Sequence, residues 1–340
     1  MRTLLAQPCP PDSFVEEIIV RPRLGFLGVD RNRLQAIARS GLAEVAAISG
    51  GAGRIQPGAA VLDSLNELLE VGVDGVVIAT PGAGQAEPAI AALERGVAVF
   101  CEKPPGRTAA EIARVIDAAR AADLLLGVNR PFHFIHSLRE IRDLCCGGEL
   151  GEIYIADVMF HQPARPAKDS SGDDAARGCM ADPGMRLLDL ALWNLGFPAI
   201  RNISSRLFAQ GKLLRGEFSD PEDFAVARFD LENGATIKFA CSTSLPIGCD
   251  PIIAGSFHGT RGGASFHNAG GSAREFVARR FHGSDIETLS LPAESESGRA
   301  AIDWVQRVAN GRKFDPEIEN LVVVADGVDR IYENASAPAP

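Results

Sequence analysis

Over residues 24–146 short apolar runs alternate with helical patterns, and this alternation narrows the possible folds more than any other feature of the chain. Apolar runs fall at 24–29, 44–48 (EVAAI), 75–80 (GVVIAT), 97–102 (VAVFCE) and 124–128 (LLLGV). Helical periodicity fills 31–40, 64–70, 84–95, 108–123 and 137–146. Two of these helices open on a capping box, Ser64-x-x-Glu67 and Thr108-x-x-Glu111, in which hydroxyl and carboxylate each satisfy an amide that the first turn leaves free. Gly41, Gly96 and Gly147-Gly148 stand where three helices stop, as a left-handed terminal residue favours. Strands that are apolar throughout need cover on both faces, so the expectation is an α/β unit with a doubly wound parallel sheet. Ligands of such sheets lie beyond the carboxyl ends of the strands. Those ends carry Gly28-Val29-Asp30, Ser49-Gly50, Thr80-Pro81, Glu102-Lys103-Pro104 and Asn129-Arg130.

The second half reads differently. Longer strands with partial alternation are expected at 152–162, 223–231, 235–245 and 251–259, with Asn233-Gly234 as a hairpin turn. Helices are expected at 185–195, 301–310 and 317–334, and loops at 162–177 and 284–299. This describes a C-terminal α/β domain with an open, mostly antiparallel sheet and helices on one face. A chain of 340 residues accommodates two domains. The expected division is an N-terminal extension (1–22), a Rossmann-type unit (23–146), a substrate and dimerisation domain (147–334) and a disordered tail (335–340). The net charge of −10 argues against nucleic acid or an anionic membrane as partner. No apolar run approaches the ~18 residues of a membrane helix, and the apolar stretch near the N-terminus is too short for a signal peptide, so a cytoplasmic protein is expected. Seven cysteines without a C-x-x-C indicate neither a disulfide framework nor a metal site.

Residues 24–41 are where a dinucleotide fingerprint G-x-G-x-x-G belongs, yet after Gly28 the second and third glycine positions hold Asp30 and Arg33. Asp30 has two readings. It caps the helix, a favoured role for Asp, or it sets a carboxylate against a phosphate. The latter costs roughly 4 kcal/mol at ~4 Å and an effective dielectric of about 20, with Arg31 and Arg33 offsetting part of it. Lys103, at a strand end beside Glu102, is poorly explained by packing; a solvated charge or a pair with Glu102 is the plainer alternative. For His133, His136 and His161 a hydrogen-bonded structural role is the plainer expectation. Trp193 and Trp304 lie on apolar helix faces and are expected in the core.

The stretch GVVIATPGAGQAEPAIAALERGVAVFCEKPPGRTAAEIARVIDAAR resembles the glucose–fructose oxidoreductase / inositol dehydrogenase (Gfo/Idh/MocA) family, whose E-K-P signature falls on Glu102, Lys103 and Pro104. ADPGMRLLDLALWNLG is similar to the family's D-x-G-x-H-x-x-D stretch, and the likeness extends over about 23–334. The resemblance implies an NAD- or NADP-dependent oxidoreductase that moves a hydride to or from a carbon bearing OH on a small sugar, polyol or keto compound. It also implies a homo-oligomer through the C-terminal sheet. Lys103 is implied to contact the reacting oxygen; the family's Asp and His fall on Asp182 and Arg186, and its second Asp on Asp189. The dinucleotide is implied to lie against Gly28, Val29, Asp30, Arg31, Ser49, Arg54, Thr80, Pro81, Gln85, Glu102, Lys103 and Asn129. Several positions depart from the family pattern. Ser49 and Gly50 stand where a ribose-binding acid is usual, which with Arg54 leans to NADP. Gln85 and Pro131 replace a usual His and Arg. Arg186 stays protonated and cannot accept a hydroxyl proton. Redox chemistry would then run through Lys103, relayed by Asp182, with Arg186 clamping an anion or polarising a carbonyl. The plainer alternative for Arg186 is a helix-surface bridge to Asp182 and Asp189. The competing functional readings are a ligand- or partner-binding protein on the same scaffold without redox turnover, and a lyase or hydrolase that keeps Lys103.

Overall fold

The computed structural model describes residues 21–50, 57–80, 84–163, 178–216, 220–248, 250–291 and 298–336. Strand and helix alternate as the sequence requires: β1 (Arg23–Leu27), α1 (Arg31–Ser40), β2 (Glu44–Ser49), β3 (Ala60–Leu62), α2 (Leu65–Glu70), β4 (Gly75–Ile78), α3 (Ala86–Glu94), β5 (Ala98–Cys101), α4 (Ala109–Ala122), β6 (Leu126–Val128) and α5 (His136–Cys146). The six strands form one parallel sheet in the order β3-β2-β1-β4-β5-β6. The chain reverses direction of travel between β1 and β4, which opens a crevice at their carboxyl ends. The hydroxyl half of each capping box forms, Ser64 and Thr108 accepting the amides of Glu67 and Glu111 at 3.2 Å, while the Glu67 and Glu111 carboxylates accept from the Asp63 and Arg107 amides one residue before the cap.

The second half contributes β7 (Ile153–Pro163), α6 (Met185–Asn194), β8 (Ile200–Ala209), β9 (Lys212–Leu213), β10 (Phe224–Leu231), β11 (Thr236–Leu245), β12 (Ile252–Gly259), β13 (Gly263–Asn268), β14 (Phe276–His282), β15 (Asp285–Ser290), α7 (Arg299–Ala309) and α8 (Asn320–Ser336). Its nine-stranded sheet runs β15-β14-β13-β12-β7-β11-β10-β8-β9. Only the central β7–β11 pairing is parallel. Ala156, Val158 and Phe160 of β7 and Ile237, Phe239 and Cys241 of β11 are buried on the inner face, where α5, α6 and α8 pack.

Three differences from the expected layout have physical reasons. Residues 284–299, expected as a loop, contain β15; this edge strand buries neither face and so carries no alternation to read. Ala335, expected in a disordered tail, is buried at the end of α8. Finally, α7 falls within 147–334 in sequence but packs against the parallel sheet. Its Trp304 fills a slot over Phe100, ring centroids 5.7 Å apart. Gly75 and Gly127 make that slot, since a Cβ on either would approach the indole to 2.6 Å. The two sheets are further tied by α8 and the 3₁₀ turn before it (Pro316–Glu319) against α4, where Asp329 accepts the Ala109 amide at 2.9 Å and Arg120 pairs with Glu319 at 3.0 Å. No helix among the described residues is long and apolar enough to cross a membrane.

Trp304→Ala is expected to leave a cavity that two strand glycines cannot refill, costing about 3–5 kcal/mol. Chemical unfolding followed by circular dichroism checks this; a loss below ~1 kcal/mol would show that the slot collapses.

Candidate active site

The carboxyl end of β5 delivers Lys103 into the seam between the two sheets. Its side chain is only 5% exposed, and its ammonium lies 3.0 Å from Asp189 Oδ2, itself 4% exposed. The ammonium also donates to the Met185 carbonyl at 3.3 Å. Met185 and Asp189 are one turn apart on α6, so both face Lys103. Every α6 residue except Arg186 is buried, and Asp189 is the one charged side chain among the buried ones. His133, in the short 3₁₀ turn Pro131–Phe134 after β6, brings Nε2 to 3.1 Å from the same Asp189 oxygen. Its ring stacks on Trp193 of α6 at 4.2 Å and 16°. Three titratable groups from β5, α6 and the turn after β6 thus share one buried oxygen.

Burial shapes all three. It lowers the Lys103 ammonium below its ordinary value, with Asp189 opposing. It likewise lowers the His133 imidazole, again against Asp189. Burial alone would raise the Asp189 carboxyl; the charges of Lys103, then His133, more than offset this and hold it below the ordinary carboxylate range. The stable arrangement is an ionised Asp189 flanked by two bases that release protons more readily than in water.

At the carboxyl end of β1, across β4 from β5, Asp30 caps α1: its carboxylate accepts the Arg33 amide at 3.1 Å and pairs with the Arg33 guanidinium at 3.3 Å. The capping role is therefore real, and it engages an amide at an anion-favouring helix end. Arg33 itself is buried, lies over the Phe100 ring at 5.4 Å and also pairs with Glu102. Glu102 accepts from Asn129 Nδ2 at 2.9 Å. Gln85 is buried beneath this turn and accepts the Glu102 amide at 2.9 Å, so it positions the Glu102–Lys103 corner. Ser49 is buried, and its carbonyl accepts the Gly28 amide at 2.8 Å. Val29 is half-buried and Arg31 exposed. Arg54 and Pro81 lie outside the described residues.

Asp182 does not meet Lys103. It sits before α6 with extended backbone (φ −163°, ψ 118°) and pairs with Arg186, both about half-exposed. The acid that meets Lys103 is Asp189, which the helix turns inward, and not Asp182; for the same reason Arg186 bridges only Asp182. Asp189 stood in the sequence as the second acid of the D-x-G-x-H-x-x-D likeness. A lone Asp within the apolar run LLDLALW was the further signal, because a buried charge needs a buried partner. His133 had no such signal. His161 stacks on Phe224 and bonds Ser242 at 3.0 Å, and His136 is exposed beside Glu140 at 3.6 Å; neither joins the Lys103–Asp189–His133 chain. Among the described residues no group of three His, Cys, Asp or Glu is placed to hold a metal ion.

Residues 24–130 match the model of an oxidoreductase family with an NAD-binding Rossmann fold, and 138–265 match the GFO/IDH/MocA C-terminal domain. The chain belongs to the Gfo/Idh/MocA family. Among curated Gfo/Idh/MocA proteins it is 29% identical over 218 residues to D-glucoside 3-dehydrogenase of Escherichia coli K12, covering 59% of this chain and 61% of that protein. It is 30% identical over 187 residues to the rhizopine catabolism protein MocA of Rhizobium meliloti, covering 52% and 58%. These alignments span about three-fifths of each relative. A 3-ketoreductase from Actinomadura kijaniata, solved with NADP and TDP-benzene, superposes with a TM-score of 0.75 at 22% identity over 92% of this chain and 98% of that one. At that identity the likeness is one of fold.

His133 gives a pH signature. Between its lowered folded value and the ordinary ~6.5, the unfolded chain holds a proton at this ring that the folded chain refuses, so stability falls as pH drops through that window. His133→Asn keeps a donor near Asp189 and is expected to remove this contribution, up to ~1.4 kcal/mol per pH unit. Unfolding free energies of both proteins from pH 7 to 5 check it; parallel curves would contradict it.

Proposed function

We propose that the protein is an NAD(P)-dependent oxidoreductase that moves a hydride between a nicotinamide and an oxygen-bearing carbon of a small sugar, polyol or keto compound. The observation that carries this reading is the buried Lys103–Asp189–His133 chain at the carboxyl ends of β5 and β6, in a family of oxidoreductases.

The strand ends suit a dinucleotide. Gly28 has φ +77° and lies against the Ala79–Thr80 backbone, where a Cβ would come within 2.9 Å. Thr80 Oγ1 is buried and has no hydrogen-bond partner among the described residues. Gly28, Ser49, Thr80, Glu102 and Asn129 would hold the dinucleotide, whose nicotinamide supplies or accepts the hydride when bound. Alcohol oxidation also needs a proton acceptor at the reacting oxygen. Lys103 Nζ fills that role, because burial brings its neutral amine within reach. Asp189 holds the amine in place, and a proton taken at Nζ has a hydrogen-bonded route through Asp189 Oδ2 to His133 Nε2. Beyond His133 lies a cavity of about 300 Å³ lined by Arg130, Asp303, Asp315 and Glu317. Arg186 stays charged and takes no proton.

A second reading, a ligand-binding protein without turnover, draws on the Asp30 cap, which engages the Arg33 amide and sets a carboxylate at the phosphate end. The two readings separate in a panel of sugars and polyols with NAD or NADP, followed by reduced-nicotinamide absorbance. The redox reading predicts turnover that Lys103→Met lowers by about 10²–10⁴-fold. Nicotinamide binding without turnover across the panel would favour the second reading.

Asp30→Gly is expected to tighten reduced-dinucleotide binding at least ~10-fold in a nicotinamide-fluorescence titration, since it removes a like charge and frees the Arg33 amide. A pure cap would change little, because cap-to-Gly replacements cost only a few tenths of a kcal/mol; unchanged affinity would overturn the charge argument.

A homo-oligomer through the outer face of the nine-stranded sheet completes the proposal. Ile155, Met159, Val226 and Ile252 lie on that face, alternating with the buried inner residues.

A further inference from the structure

Glu222 lies just before β10 and is only 3% exposed, yet neither the proton chain nor the dinucleotide cradle uses it. Its Oε1 accepts the Met180 amide at 2.9 Å and the Tyr332 hydroxyl of α8 at 2.7 Å. Its backbone carbonyl accepts the Cys179 amide at 2.8 Å. Burial, then the Glu222 charge, raise the Tyr332 hydroxyl above its ordinary value, so it stays a donor. Gly178 makes room for the carboxyl, since a Cβ there would lie 1.8 Å from Oε2. On another side Cys241 Sγ of β11 touches the Cys179 and Met180 sulfurs, each at 3.6 Å. The Cys179–Met180 corner is therefore held from β11, α8 and the approach to β10.

That corner leads to Lys103. It opens the turn Met180–Gly184 into α6, a helix with no side-chain cap of its own. The Cys179 carbonyl accepts the Gly184 amide at 2.7 Å, and the Met180 carbonyl accepts the Met185 amide. The Met185 carbonyl in turn accepts from the Lys103 ammonium at 3.3 Å. One series of hydrogen bonds thus runs from Glu222 Oε1 through the Met180 and Met185 peptides to Lys103 Nζ. Amides at a helix entrance need acceptors from outside the helix, and for this entrance Glu222 supplies two.

We propose that Glu222 is a positioning residue for Lys103: by fixing the Cys179–Met180 corner it sets where α6 starts, and so where the Met185 carbonyl and the Asp189 carboxylate meet the ammonium. The effect is indirect, since the contacts of Glu222 are with Cys179, Met180 and Tyr332. The Met185 carbonyl and the Asp189 carboxylate both favour the charged amine, whereas burial and the charges of Arg130 and Arg186 oppose it. A displaced α6 weakens the two favourable contacts and leaves the opposing ones, so Lys103 then releases its proton at lower pH. The purpose of this placement rests on the redox reading; the placement itself does not.

The test is a pH titration of the Lys103 Cε resonance by nuclear magnetic resonance, in full-length protein isotope-labelled at lysine, with the signal assigned by Lys103→Arg. Wild type is compared with Glu222→Met, which keeps the stem and removes the acceptor, and with Glu222→Gln, which keeps an Oε1 acceptor without the charge. The proposal predicts a Lys103 midpoint lower by at least ~0.5 pH unit in Glu222→Met, with the exposed Lys212 and Lys238 unmoved. It predicts the wild-type midpoint in Glu222→Gln, which separates lost positioning from lost charge. A carboxylate that only anchors the fold would lower the thermal midpoint of Glu222→Met and leave Lys103 titrating as before. That result, or a raised Lys103 midpoint, would overturn the proposal. If Glu222→Met does not fold, Glu222→Asp decides: it keeps the charge but withdraws the oxygens by one methylene, and it must lower the Lys103 midpoint. The redox reading is scored separately, by turnover across the sugar and polyol panel. A lowered midpoint without wild-type turnover would keep the positioning role and count against that reading. Turnover with an unmoved midpoint would keep the reading and remove the positioning role.

Discussion

Lys103 and Asp189 are each almost wholly withdrawn from water, and neither tolerates that burial alone. An unpaired buried charge costs several kcal/mol, while a buried pair with good geometry roughly breaks even. The pair therefore contributes little net stability but imposes a strict placement. Lys103 comes from the parallel sheet and Asp189 from a helix on the inner face of the other sheet. The two halves must meet so that these atoms lie 3.0 Å apart. The packing of α8 on α4 and the return of α7 to the parallel sheet supply the apolar burial that holds them there. Stability comes from the core, and the position of the Lys103 amine comes from the ion pair.

The same physics divides the crevice into two regions of different character. Around Lys103 the side chains form a closed, hydrogen-bonded chain in which burial lowers the proton affinities of Lys103 and His133, and their charges lower that of Asp189 against burial. Around the start of α1, a carboxylate and a buried arginine stand where a dinucleotide fingerprint has glycines. One region is a buried ion pair with a histidine, and the other a helix end capped and crossed by charged side chains. An arginine in place of the usual histidine at position 186 fits this division, because His133 reaches the acid of the Lys103 pair from a different element.

Most of the parallel sheet was legible in the sequence because its strands are buried on both faces and its helices carry explicit caps at Ser64 and Thr108. The strands β3, β8, β9, β13, β14 and β15 were not; β9 and β15 bury no face that leaves a periodic trace. Lys103, Glu102 and Asn129 stood at strand ends in the sequence pattern, whereas Gln85 was singled out only through the family resemblance. Which acid meets Lys103 could not be read, because Asp182 and Asp189 both precede or follow Arg186 at helical spacing. The choice depends on where α6 begins: the extended backbone at Asp182 takes it out of the helix, and Asp189 falls one turn after Met185 on the inward face. His133 was invisible for another reason. Its role comes from contacts with α6 residues far along the chain, and nothing local in NRPFHF encodes them.

The central claim is that Lys103 and Asp189 act as one buried charge-compensated unit, and a double-mutant cycle in chemical unfolding tests it most directly. Lys103→Met and Asp189→Asn should each lower the unfolding free energy by about 3–5 kcal/mol, because each strands the partner's charge or breaks its bonds. The double replacement should cost far less than the sum of the two, leaving a coupling well above ~1 kcal/mol. Additive losses would mean that the two groups are independently solvated, and would contradict the account.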